Sequence, residues 1–162
     1  MRVMIRWFLC LLVLLSLVGC SAARAKPQAE AVAQKYFAAM KEGKVEDVLD
    51  LYAKEFYEDT PREKWKGMLR SMNKKLGNVR SCELTGWSIK TVTGTGNSGT
   101  YVTLTYAVHY ENSAGAETFQ MYKPSFWNST RIVAHTVDSE GLLPGEEEQK
   151  EQKGEEGEKI RI

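Results

Sequence analysis

The chain has 162 residues, a formal net charge of +1 at pH 7 and three cysteines. A chain of this length can bury one sizeable core, so we expect one domain rather than two. The small net charge argues against a nucleic-acid binder, because such proteins carry a strongly basic balance. Two of the three cysteines lie within the first 20 residues, which excludes a framework of internal disulfides in the domain itself.

The first 20 residues are typical of an export signal. Met1 to Arg6 carries two positive charges, and the apolar run from Trp7 to Val18 is too short to cross a membrane. Leu17-Val18-Gly19-Cys20 resembles the bacterial lipobox, in which signal peptidase cuts before the cysteine and the thiol is acylated. The resemblance implies lipidation of Cys20 and a membrane anchor at the cell envelope, on the outer membrane facing the periplasm if the host has two membranes. Cleavage after Ala25, as in an ordinary secretory peptide, is the alternative.

The chain divides into four predicted segments. These are a signal peptide at 1–19, a tether at 20–27, an α+β domain at 28–143 and a charged tail at 144–162. Between Gly145 and Lys159 the tail contains no aromatic or β-branched residue. Such a segment cannot bury enough apolar surface to offset the entropy of ordering, so we expect a disordered, solubilising tail.

Three helices are predicted in the first half of the domain. Apolar residues at helical spacing predict a helix from Pro27 to Met40 that ends at Gly43. The same spacing predicts a second helix from Val45 to Tyr57. For the third helix, Thr60-Pro61-Arg62-Glu63 is interpreted as a capping box with proline at the first helical position, and Gly77 ends it. Its expected apolar face consists of Trp65, Met68, Leu69, Met72 and Leu76.

After the third helix the pattern alternates with a period of two, which is typical of strands. The predicted strands lie around Trp87 and Ile89, then at 100–111, 117–123 and 130–138. Turn residues between them favour a four-stranded antiparallel meander. In the 100–111 strand, alternation places five apolar side chains on the face that we expect to pack against the helices. They are Val102, Leu104, Tyr106, Val108 and Tyr110.

Helices followed by strands predict an α+β fold, with N-terminal helices packed on a curved four-stranded antiparallel sheet. The element order, together with Tyr36-Phe37, the Gly43 turn, Leu76-Gly77 and the strand entry at Gly99-Thr100-Tyr101-Val102, resembles small bacterial proteins with a nuclear transport factor two-like (cystatin-like) fold. Several such families are domains of unknown function, often on lipoproteins. The resemblance covers roughly residues 28–143 and implies a cone-like sheet.

That superfamily includes ketosteroid isomerases and dehydratases, whose pockets hold an acidic or histidine base beside tyrosines. The titratable candidates on the predicted strands are His109, Glu111, Glu117, His135 and Asp138. His109 falls opposite the apolar stripe and is expected to point outward, whereas His135 shares a face with Val133 and Val137 that allows it to point inward. No motif carries over residue by residue, so we assign no catalytic residue.

The candidates for lining a pocket are Trp87, Tyr106, Tyr110 and His135. Two histidines and one spare cysteine at no ligand-like spacing predict neither a metal site nor a cofactor. Cys82 is expected to be a buried small apolar residue, because free cysteine is among the most buried residue types.

The third helix and its flank are basic, and we interpret them as a solvated face, with lipid headgroup contact as the alternative. The residues are Arg62, Lys64, Lys66, Arg70, Lys74, Lys75 and Arg80. We expect a non-enzymatic binding module tethered at the envelope. Its partner is an apolar small molecule, an envelope protein, or a second copy that pairs through the sheet face, and not nucleic acid. The alternative is a small enzyme of the isomerase or dehydratase type, which requires an inward ionisable residue beside a tyrosine.

Overall fold

The computed structural model describes residues 20–94, 98–125 and 129–142. The predicted signal peptide at 1–19 and the predicted tail at 144–162 lie outside them. The elements in chain order are α1 (Cys20–Lys41), α2 (Val45–Val48), a 3₁₀ turn (Leu49–Leu51), α3 (Phe56–Asp59), α4 (Arg62–Leu76), β1 (Val79–Val92), β2 (Gly99–Tyr110), β3 (Ala114–Pro124), β4 (Arg131–Ser139) and a second 3₁₀ turn (Glu140–Leu142). Helices precede strands, so the predicted α+β class is confirmed.

The four strands form one sheet in the order β1-β2-β3-β4, with every neighbouring pair antiparallel. The predicted meander is therefore confirmed. The strand predicted around Trp87 starts earlier, at Val79, and is the longest of the four. The register shifts between Leu84 and Gly86 in β1 and between Gln120 and Met121 in β3, where an extra residue on one strand changes the pairing.

The helices cover one face of the sheet, which we term the inner face. The five β2 side chains predicted to point toward the helices are all buried, which confirms that alternation. The opposing side chains of α1 recur at spacings of three and four residues, so they form one stripe along the helix. They are Ala25, Ala29, Ala33, Tyr36, Phe37 and Met40. Burying one large apolar side chain stabilises the fold by about 1.5–3 kcal/mol, so this contact is a main source of stability.

Helix α1 already includes Cys20, although it was expected to begin near Pro27, and Pro27 lies inside it. The residues predicted as a tether, 20–27, are therefore helical. Alanine is the best helix former and occurs repeatedly in this segment, which accounts for the extension. Gly43 has φ +69°, a conformation that only glycine adopts readily, and the helix ends just before it as expected. Within the described ranges, no helix is long and apolar enough to span a membrane.

The prediction of one continuous helix from Val45 to Tyr57 is wrong, because the helix is interrupted between Val48 and Phe56. After α2 and the 3₁₀ turn, Tyr52 is extended, with ψ 148°, and forms a parallel bridge with Ile132 of β4. The Ala53 N–H donates to the Ile132 carbonyl at 2.8 Å. Tertiary pairing with the edge of β4 therefore overrides the local helical pattern, and it places the Tyr52 side chain against the sheet.

Helix α4 ends as predicted but starts differently. Its N-cap is Pro61, with no capping hydrogen bond from a side chain, so the predicted capping box is wrong. The extended backbone of Pro61 (ψ 139°) moves Thr60 one residue too far from the helix start. Met68, expected on the buried face, is 49% exposed. At the other end Gly77 has φ +79°, and a Cβ there would lie 2.5 Å from Glu111 Cβ.

Candidate functional site

Two ionisable side chains, Glu117 of β3 and His135 of β4, lie on the inner face of the sheet. In the register Phe119 faces His135 and Glu117 faces Val137, so alternation places the four side chains on one face. The Phe119 ring stacks on the imidazole, with 4.3 Å between the ring centroids. The side chains of Glu117 and His135 have no solvent exposure. A glutamate is almost never fully buried unless it is paired.

Hydrogen bonds join this pair to two tyrosines, and the four side chains form what we term the buried polar network. The Tyr110 hydroxyl donates to Glu117 Oε1 at 2.6 Å, and Glu117 Oε2 lies 2.8 Å from His135 Nε2. The Tyr52 hydroxyl lies 2.8 Å from His135 Nδ1. The Nε2–H of His135 donates to the Glu117 carboxylate, and Nδ1 shares a hydrogen bond with the Tyr52 hydroxyl.

The tyrosines around the carboxylate stay protonated and serve as donors. Burial raises the pKa of Tyr110 and of Tyr52 well above the ordinary value, and the negative charge of Glu117 raises both further. Burial is also the main cause of the raised pKa of Tyr36, and Glu117 again adds to it. Burial, with the charge of Glu117 as an additional cause, therefore keeps three phenols in their neutral form.

Aromatic rings fill the space around His135. The ring centroids of Tyr36 and Trp65 lie 5.2 Å and 5.7 Å from that of the imidazole, both edge-on. Tyr36 is fully buried and Trp65 nearly so. The Tyr36 hydroxyl and the Trp65 indole nitrogen make no well-formed hydrogen bond among the described residues, and each has only a weaker polar interaction, Tyr36 with Glu117 and Trp65 with Tyr52. The network is thus enclosed by side chains, and two polar atoms beside it are incompletely satisfied.

A separate groove of about 710 Å³ lies between α4 and β4 and is open to solvent. We term it the α4–β4 groove. Its apolar lining consists of Trp65, Met68, Leu69, Met72, Val137 and Leu142, and the exposed Met68 stands in it. Lys64 and Lys75 also line it. Trp65 lines the groove and packs edge-on against His135, and His135 is itself among the groove residues, so the buried polar network lies directly behind the wall of the groove.

The four residues that were expected to line a pocket lie in three different environments. Tyr110 and His135 meet through Glu117 in the buried polar network. Tyr106 is buried against Phe37, with 5.0 Å between the ring centroids, and belongs to the core. Trp87 is 57% exposed and therefore lines no interior pocket, because β1 is an edge strand that the helices cover incompletely.

Sequence reasoning named Glu117 as a titratable candidate but did not predict which way it faces. The signal was present, because Glu117 alternates with Phe119 and Met121, and all three are fully buried. Tyr52 was missed altogether, since its position follows from the bridge to Ile132 and not from any local pattern. Alternation along β3 is therefore enough to locate Glu117, whereas only tertiary pairing positions Tyr52.

The remaining candidates lie away from the network. His109 is exposed, which confirms that it points outward. Cys82 is also exposed, so its predicted burial is wrong; it lies on the edge strand β1, where no neighbouring strand covers it on one side. Partial burial nevertheless raises the pKa of the Cys82 thiol. Within the described ranges, no three His, Cys, Asp or Glu side chains are grouped as metal ligands would be.

Several cations of the basic helix face form ion pairs with acidic side chains. The pairs are Arg62 with Asp50 at 2.8 Å, Lys66 with Glu46 at 3.3 Å, Arg70 with Glu46, and Arg80 with Glu111 at 2.8 Å. Exposed pairs of this kind contribute little to stability. They do offset much of the positive charge, in keeping with the interpretation of this surface as a solvated face.

The sequence was compared with known proteins. No curated protein and no solved structure matches it. Residues 32–129 match the family described as "Protein of unknown function (DUF4019)", a span of more than half the chain. The match includes Tyr52, Tyr110 and Glu117 and ends before His135. The chain therefore belongs to this family of unknown function.

Proposed function

We propose that this protein is a membrane-anchored lipoprotein of the cell envelope that acts as a non-enzymatic binding module. In this proposal Cys20 carries the lipid, and the domain has the nuclear transport factor two-like fold. The lipobox-like residues before Cys20 support the anchor, and the element order with an antiparallel meander is compatible with that fold. The ligand is an apolar small molecule with an anionic end, such as a fatty acid, bound in the α4–β4 groove.

The shape and lining of the groove carry this proposal. Its volume of about 710 Å³ falls in the range of about 300–1,000 Å³ that is usual for small-molecule sites. Its lining is mostly apolar, and it exposes Met68, a flexible side chain that adapts to irregular apolar ligands. Lys64 at the groove supplies a cation for an anionic end. An open apolar surface with a few polar groups is the arrangement expected of a binding site.

The buried polar network supports a structural role in this proposal. A general acid or base must come within hydrogen-bond reach of its substrate, and neither Glu117 nor His135 exposes its side chain. The network instead links β2, β3, β4 and the extended segment at Tyr52. It holds that segment in place through polar contacts that water does not reach.

The binding proposal is tested with the chain from residue 20 that carries Cys20→Ser, produced in the envelope of a bacterial host. Native mass spectrometry should detect a monomer with an added mass in the range of a fatty acid, and a fluorescent fatty acid should compete for the same site. Met68→Glu should weaken binding of the probe at least tenfold. The matched control is Trp87→Ala, which alters the other exposed large apolar side chain of the described residues and should leave binding unchanged. A bare monomer that binds no probe, or a dimer formed through the sheet face, contradicts the proposal.

The anchor is tested separately by metabolic labelling with an alkyne-bearing palmitate. The wild-type chain should carry the label and fractionate with membranes, whereas Cys20→Ser should lose both properties. Cys82→Ser is the matched control, because Cys82 is an exposed thiol elsewhere in the domain, and it should keep the label. Label that persists in the Cys20→Ser chain contradicts the proposed lipidation.

One observation favours a pocket enzyme of the isomerase or dehydratase type as the second candidate. Glu117 and His135 lie on the inner face within hydrogen-bond distance of tyrosines, which is the arrangement that such chemistry uses. Access would require a movement of Trp65, which borders both the groove and the network. If a ligand found in the groove is converted by the wild-type protein, and Glu117→Gln abolishes conversion while binding is retained, this candidate replaces the binding module.

A further inference from the structure

Trp87 is one of two large apolar side chains that the described residues expose, and its surroundings differ from those of Met68. Met68 stands in the α4–β4 groove, whereas Trp87 lies on β1, the edge strand of the sheet. More than half of the Trp87 side chain is open to solvent. A single exposed apolar residue is common on proteins. Trp87 differs from such a residue because it lies near Cys20 and near positively charged side chains, and these two features indicate a function for it.

Two contacts fix the direction in which α1 runs along β1. Near the start of the helix, Lys26 Nζ lies 5.4 Å from the centroid of the Trp87 ring. At the other end, Lys41 is close enough to Cys82 for its charge to oppose the rise in pKa that burial gives the thiol. Cys20 precedes Lys26 by six residues, about 9 Å of helix. Trp87 and Cys20 therefore lie at the same end of the domain.

Cationic side chains accompany Trp87 at this end. Lys26 lies over its ring and also pairs with Glu30. Arg24, two residues before Lys26 on α1, is exposed. An exposed indole flanked by lysine and arginine is the combination that proteins place at the membrane interface. The indole enters the headgroup region, and the cations are attracted to anionic headgroups.

We infer that Trp87, with Arg24 and Lys26, forms a face that docks the domain on the surface of an anionic lipid bilayer. The inference rests on the proposed function, because a lipid on Cys20 would hold this face beside the membrane. Docking fixes the orientation of the domain, so that the anchor does not act as a loose tether. The opposite charge of anionic headgroups and the continuous helix from Cys20 to Lys26 favour a bilayer over a second copy as the occupant.

To test this inference, the protein is attached to vesicles by a tag instead of by acylation. The chain from residue 20, with Cys20→Ser and an N-terminal hexahistidine tag, is bound to vesicles of phosphatidylcholine and phosphatidylglycerol that contain a nickel-chelating lipid. Brominated acyl chains in the vesicles quench tryptophans that reach the interface. The wild-type fluorescence should be quenched, and Trp87→Phe should remove at least half of that quenching. Lys90→Gln, which removes an exposed cation from the opposite face of β1, should not alter it.

The cations are tested in the same assay. Replacing both Arg24 and Lys26 by glutamine, or omitting phosphatidylglycerol, should reduce the quenching at least twofold. Equal quenching of the wild type and Trp87→Phe overturns the inference. A Trp87 signal that depends on protein density and not on bromination also overturns it, because the face is then covered by a second copy. Failure of palmitate labelling at Cys20 would refute the proposed anchor and would leave this tethered result unaffected.

Discussion

The hydrogen bond from Tyr110 to Glu117 gives a sharp test of the buried polar network. Tyr110→Phe removes the donor that lies 2.6 Å from a carboxylate with no solvent exposure. Hydrogen bonds to charged groups contribute about 1.5–3 kcal/mol, and water cannot replace the donor in a closed interior. We expect the free energy of unfolding to fall by about 2–3 kcal/mol. At roughly 4 °C per kcal/mol for a domain of this size, Tm falls by roughly 8–12 °C.

Tyr36→Phe is the matched control. It makes the same chemical change in a buried side chain near the same carboxylate, but the Tyr36 hydroxyl forms no well-formed hydrogen bond among the described residues and interacts with Glu117 only weakly. Removing this weaker interaction should lower the free energy of unfolding by less than about 1 kcal/mol. Both variants are made in the Cys20→Ser chain from residue 20 and unfolded in urea under circular dichroism. If Tyr36→Phe is as destabilising as Tyr110→Phe, the hydrogen bonding assigned to the network is wrong.

Two further predictions concern pH and glycine. Because burial raises the pKa of three tyrosines around Glu117, stability is fully present below the unfolded-state pKa of about 10 and falls as pH rises further. The free energy of unfolding, measured by urea unfolding from pH 8 to 11, should fall by up to about 4 kcal/mol per pH unit for three groups. Ultraviolet absorbance that shows these phenols ionising in the folded protein near pH 10 would contradict this prediction. Gly67→Ala in α4, where a Cβ meets nothing within 4 Å, should stabilise by about 0.5–1 kcal/mol, whereas Gly77→Ala should destabilise by more than about 1 kcal/mol because of its positive φ and the contact with Glu111. Opposite signs in thermal unfolding are the expected result, and a Gly77→Ala variant as stable as the wild type refutes the strain.

The amino-acid pattern by itself determined the class of the fold. Helical spacing, the ends at Gly43 and Gly77, and alternation along β2 are local properties, and the structure has each of them. Alternation also predicted that His109 points outward and allowed His135 to point inward. Such features can be read from sequence because side-chain direction repeats with the period of the element. The anchor at Cys20 is likewise predicted from a local pattern and awaits its experiment.

Only the tertiary structure decided what meets on the inner face and which surfaces stay open. The pairing of Tyr52 with Ile132 breaks a predicted helix and brings its hydroxyl to His135. Incomplete cover at the edge strand exposes Trp87 and Cys82. These outcomes depend on contacts between elements that are far apart in the chain. Local periodicity predicts on which face of its helix or strand a residue lies, but it does not predict which other part of the chain packs against that face.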